Sequence, residues 1–146
     1  MKMMKIWASM LVMASLLWIT VPAGAEEVPD LVGNWTGNGS VVRMGALDHF
    51  PEMSSENLTY KDEVSRTLVI EEQKGRRFAG VWISSENPGA TEAVLGVIGF
   101  DDETLYMVDE DGHFDGRLIS DTELELAYRE VDPDGMIAAI CKYTKA

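Results

Sequence analysis

Cysteine, histidine and basic residues are all scarce in this 146-residue chain, which has one cysteine, two histidines and 12 Lys+Arg against 25 Asp+Glu. A lone cysteine, Cys141, excludes an internal disulfide and a cysteine-rich metal site. His49 and His113 stand in no ligand-spaced cluster, so no zinc centre is expected. A formal charge of −13 repels phosphate backbones and excludes a basic nucleic-acid footprint. The chain has no Gly-x-Ser-x-Gly elbow and no Cys–His signature. It therefore reads as a non-enzyme that requires no cofactor. With 25 acids some close carboxylate pairs are inevitable, and an acidic surface accounts for them without glycoside hydrolysis.

Long hydrophobic runs are also absent, except one. Lys2 and Lys5 precede an apolar stretch of 16 residues, Ile6 to Val21, followed by Pro22 and the small residues Ala23-Gly24-Ala25. This is the pattern of a secretory signal cleaved after Ala25. The run is shorter than the roughly 20 residues a membrane anchor needs. The expected product is a secreted or envelope-exterior protein with no membrane span after cleavage. Removing residues 1–25 takes away two lysines and no acid, which leaves 121 residues with a charge of −15. Such a charge favours solubility and attracts cations. Residues 26–34 read as a lead-in, and residues 35–146 as a single domain.

That domain is built from strand-length apolar segments separated by turn chemistry. The segments are Trp35–Arg43, Val64–Gln73, Arg76–Ser84, Ala93–Phe100, Thr104–Asp109, Gly112–Ile119, Thr122–Glu130 and Met136–Thr144. No segment shows a capped 3.6-residue stripe. Alternation is clearest at Glu123-Leu124-Glu125-Leu126-Ala127-Tyr128, with one face apolar and one polar. Eight such strands with short connections predict an all-β fold, an eight-stranded antiparallel up-and-down β-barrel. Glycines within strands (Gly80, Gly96, Gly99, Gly116) suit the bends of closure. Charged Glu123, Glu125 and Arg129 on the outward face exclude an outer-membrane barrel. One long loop is expected at about 44–63. It carries Met44, Leu47, Phe50 and Met53, and it either packs outside the barrel or covers one mouth. Cys141 lies in the last strand segment, where it is either a buried inert thiol or a site of intermolecular pairing.

Gly33-Asn34-Trp35-Thr36 carries a Gly-x-Trp at the start of the first strand, and Phe78-Ala79-Gly80-Val81-Trp82 follows in the third. These segments resemble the calycins, the lipocalin and avidin-like barrels. The resemblance implies a ligand inside the barrel, contacted by Asn38 and Ser40 of the first strand and by Trp82. After Trp82 there is no further tryptophan, so biotin is not the expected ligand. The chain is also similar to small secreted proteins of methanogenic archaea. The shared segments read here as Glu72-Gln73-Lys74-Gly75-Arg76-Arg77-Phe78-Ala79-Gly80 and as Thr104-Leu105-Tyr106 with Gly116-Arg117-Leu118-Ile119-Ser120.

The candidate ligand-binding residues are Asn38, Ser40, Trp82, Arg117 and Tyr128. The expected function is non-enzymatic binding of a small-molecule ligand in the barrel mouth, since aromatic side chains with a few polar groups make such a site. The alternative is an interaction or inhibitor-like module with a filled barrel, whose partner is an envelope protein. Asp109-Glu110-Asp111-Gly112 and Glu130-Val131-Asp132-Pro133-Asp134-Gly135 read as acidic hairpin turns. Neither has a bidentate acid at the twelfth loop position, so no metal site is assigned, and calcium stays open as the alternative to a plain turn. Asn34, Asn38 and Asn57 stand in glycosylation sequons, and Asn38 cannot be both glycosylated and an interior ligand contact.

Overall fold

The computed structural model describes residues 28–46, 55–84 and 89–146. The expected signal segment therefore lies outside the described residues, as do Leu47, Phe50 and Met53. Eight strands run in chain order: β1 (Gly33–Gly45), β2 (Ser55–Lys74), β3 (Arg77–Ser84), β4 (Thr91–Ile98), β5 (Thr104–Val108), β6 (Gly112–Ser120), β7 (Glu123–Val131) and β8 (Gly135–Lys145). Each pairs antiparallel with the next, and β8 returns to β1, so the sheet is a closed up-and-down barrel. Closure leaves no open sheet edge to recruit another chain.

The period of two decides which side chains fill the barrel. Trp35 and Val41 of β1, Val64, Leu68 and Ile70 of β2, and Phe78 and Trp82 of β3 are buried. So are Val94 and Ile98 of β4, and Leu124 and Leu126 of β7. The intervening Glu123, Glu125 and Arg129 face solvent, as the alternation requires. At the β2–β3 hairpin Gly75 has φ 60° at the first turn position, where a type II′ turn needs a residue free of a Cβ. Gly96 serves packing as much as curvature, since a Cβ there would enter the ring of Phe78.

One expectation needs correction. The stretch 44–63 is not one long loop, because β1 continues to Gly45 and β2 starts at Ser55, with Val42 paired to Tyr60 and Arg43 to Thr59. A bulge opposite Gly39 and Val41 absorbs the change of register, with Glu63 at φ 58°. The polar, weakly patterned residues of early β2 hid a strand that is exposed on much of its surface.

The two ends of the barrel differ. At one end the lead-in crosses the opening and seals it. Leu31 and Trp35 are fully buried there, and Trp35 Nε1 donates to the Leu31 carbonyl at 2.8 Å. Gln73 pins this segment, accepting from Leu31 N at 2.8 Å and donating to the Pro29 carbonyl at 2.7 Å. Lys145 donates to the Asp30 carbonyl and stands 5.3 Å over the Trp35 ring. At the other end the β5–β6 and β7–β8 turns, the end of β1 and the start of β4 surround the second mouth, and there the interior turns polar.

Candidate functional site

The inward alternation does not stay apolar toward the second mouth. In β7 the series Leu124, Leu126, Tyr128 continues to Glu130. In β4 the series Ile98, Gly96, Val94 runs back to Glu92, and in β2 Arg66 lies between Val64 and Leu68. Among the described residues Glu92 and Glu130 are the two buried charged ones, each 5% exposed. These groups enclose a cavity of about 70 Å³, walled by Trp82, Phe114, Tyr128 and Tyr143 and by the polar side chains of Arg66, Glu92, Asp109 and Glu130. The volume accommodates several water-sized groups. It is well below the roughly 300–1,000 Å³ of pockets that enclose large ligands.

The four rings form a continuous wall. Trp82 lies 5.3 Å from Phe114 and 5.4 Å from Tyr143, and Phe114 lies 4.5 Å from Tyr128, measured between centroids. Gly112 makes room for Tyr128, because a Cβ at that position would meet its ring. The Tyr128 hydroxyl donates to Glu130 Oε2 at 3.0 Å and stands 3.2 Å from Asp111 Oδ1. Several buried side-chain atoms have no hydrogen-bond partner among the described residues, and Trp82 Nε1, Glu130 Oε1 and the Tyr143 hydroxyl are among those on the cavity wall. Trp82 is 7% exposed, so water reaches this donor poorly.

Charge at the mouth is predominantly negative. Burial pushes the Glu130 carboxyl up to about 7, reinforced by the charges of Asp111 and Asp132 and opposed by the Tyr128 hydrogen bond. Burial likewise raises Asp109, and Asp111 adds to it. Tyr128 is held above its ordinary value by burial and by Asp109, Glu130 and Asp111. Arg66 brings a cation to the cavity wall, its proton affinity lowered by burial and by Arg43, while Tyr143, Cys141 and Glu92 oppose that shift.

The two acidic turns, separate in sequence, converge here. Carboxylate oxygens of Glu92, Asp109 and Asp111 lie within 4.8 Å of one another, as do those of Asp111, Glu130 and Asp132. Either group offers the oxygen donors a hard cation uses. Asp134 is exposed at the turn and belongs to neither group.

The structure divides the residues expected to bind ligand. Trp82 and Tyr128 face the cavity together. Asn38 and Arg117 are exposed on the outer surface, where they border a shallow groove over β1, β8, β7 and β6. Asn38 accepts a hydrogen bond from Ser65, and Arg117 pairs with Glu103 at 2.6 Å. Ser40 is exposed at the rim shared by the cavity and that groove. The outward direction of Asn38 leaves it, like Asn34 and Asn57, on the solvent side. Cys141 is half-buried at the cavity wall, its thiol raised by burial. Sequence reading did not select Arg66, Glu92, Asp109 or Glu130 as ligand contacts, although the alternation of their strands marks Arg66, Glu92 and Glu130 as inward.

No protein-family model matches the chain, and no curated protein matches it. Among solved structures it is similar to the S-type phycobiliprotein lyase CPES from Guillardia theta. That likeness has a TM-score of 0.34 and 11% identity, over 80% of this chain and 88% of the other.

Proposed function

We propose that this chain is an exported, non-catalytic barrel that binds a small molecule in the cavity at its second mouth. The observation that carries this reading is a set of buried polar atoms without partners among the described residues, Trp82 Nε1 and Glu130 Oε1 included, on the wall of a built cavity. Buried polar groups are nearly always satisfied, so a buried donor and acceptor on residues that line one cavity call for a bound group. The sealed opposite end supports the reading, since Trp35 and the lead-in close the base and leave one way in. The test is native mass spectrometry of protein purified from its own host. A small adduct that is lost on denaturation is expected, and the bare-chain mass under gentle conditions contradicts the reading.

A second reading has one observation in its favour. Leu95 pairs with Val108 and Val97 with Tyr106 on the outer face of β4 and β5, and all four are exposed. An apolar quartet on so acidic a protein suits an interaction module that meets an envelope protein through its surface. The two readings separate on a Leu95→Glu/Tyr106→Glu variant, which retains the adduct under the first and loses the partner under the second.

A further inference from the structure

We infer that the molecule bound in the cavity is a small organic ammonium ion that also carries an acceptor oxygen. This rests on the small-ligand reading above and names the class of ligand. Three features of the cavity point to it together.

The first is charge. Glu92, Asp109 and Glu130 line the cavity with Arg66; close by, Asp111 lies within carboxylate reach of Glu92 and Asp109, and Arg43 is near enough to Arg66 to lower its proton affinity, so four carboxylates stand against two guanidinia. With all groups ionised the lining is net negative. In a site shielded from water that balance selects a cation and rejects a carboxylate or phosphate.

The second is the aromatic wall. Trp82, Phe114, Tyr128 and Tyr143 form one connected set of rings along the cavity. Ring faces attract a diffuse organic cation, and tryptophan does so most strongly. A bare divalent ion would use the carboxylates but leave the rings without a role. An ammonium with methyl or methylene groups uses both, and it suits a cavity of only about 70 Å³.

The third is the Trp82 indole N–H, buried and without a partner among the described residues. It can only donate. A hydrocarbon cation would leave it unsatisfied, whereas a hydroxyl, ether or carbonyl oxygen on the same small molecule would accept from it. Glu130, whose Oε1 is buried, supplies carboxylate charge for the cationic end.

The experiment uses three probes of similar shape, titrated into the purified protein by calorimetry. Choline has the cation and the oxygen, tetramethylammonium has the cation alone, and 3,3-dimethylbutan-1-ol has the oxygen alone. Choline is expected to bind most tightly, with the neutral alcohol weaker by about tenfold or more. Tetramethylammonium is expected to be weaker by about threefold to tenfold, as for one lost hydrogen bond. In Trp82→Phe the advantage of choline over tetramethylammonium disappears, because the ring remains and the donor is gone. Asp109→Asn, a second variant that keeps the aromatic wall whole, lowers affinity for both cations and spares the alcohol. Equal affinity for choline and the neutral alcohol overturns the inference, as does a choline advantage unchanged in Trp82→Phe. If none of the probes binds while the native adduct persists, the ammonium class fails and small-ligand binding stands. If there is neither probe binding nor adduct, both fail.

Discussion

The Tyr128 hydroxyl sits between two carboxylates, 3.0 Å from Glu130 Oε2 and 3.2 Å from Asp111 Oδ1, with one proton to offer them. Carboxylate oxygens of Asp111 and Glu130 lie within 4.8 Å of one another, and this shared donor restrains their repulsion. Tyr128→Phe removes the donor and keeps the ring. We expect a loss of about 1–3 kcal/mol at pH 8, read by urea unfolding, as for a buried polar group left without its partner. At pH 5 the loss shrinks, because a protonated Glu130 supplies its own proton.

Glu130 gives the protein a pH dependence of definite sign. Its folded carboxyl titrates near 7, above the ordinary value of 4.5, so between these values the folded state holds more protons than the unfolded one. Stability from this group is complete below about 4.5 and is lost as pH rises through 7. In Glu130→Gln the group no longer titrates. The expected result is a Tm above that of the parent at pH 8, with the gap closing by pH 5, checked by thermal melts across that range.

The closed end makes a prediction of its own. Trp35 is fully buried, and its indole donates to the Leu31 carbonyl. Trp35→Phe deletes ring volume and orphans that carbonyl, at a cost of about 2–4 kcal/mol in equilibrium unfolding. Choline affinity should stay within twofold, because the base and the polar mouth lie at opposite ends of the barrel.

The outer residues provide the control. Asn38→Ala and Arg117→Ala remove exposed side chains whose partners, Ser65 and Glu103, are exposed as well. Surface pairs of this kind contribute about 0–1 kcal/mol. Both variants should unfold within about 0.5 kcal/mol of the parent and bind choline unchanged, and a loss of binding in either would move the site to the outer groove.

Much of this was legible from alternation. Glu123-Leu124-Glu125-Leu126-Ala127-Tyr128 fixed the two faces of β7, and the short turns led from there to a closed barrel. The same parity carries one step further to Glu130 and assigns Glu92 to the inward face ahead of Val94. It also conflicts with the calycin-based placement of Asn38 and Ser40, since an inward Trp35 turns positions 37 and 39 inward and 38 and 40 out. Arg117 stands between inward Gly116 and Leu118 and faces solvent for the same reason. What alternation could not supply is convergence. That Asp111 meets both Glu92 and Glu130 depends on the Gly112–Glu130 pairing and on closure of the whole sheet. The first half of β2 was hidden because its residues are polar and exposed, so no period in hydrophobicity marks them.

The central claim is that the polar mouth holds a small molecule, and the most direct measurement is the native mass of the protein from its own host, compared with its denatured mass. The denatured mass counts any covalent glycan at Asn34, Asn38 or Asn57 and removes it from the comparison. The account predicts a native mass higher by one small molecule, with the fraction of protein carrying it lowered in Trp82→Phe and in Asp109→Asn. Identical native and denatured masses would contradict it.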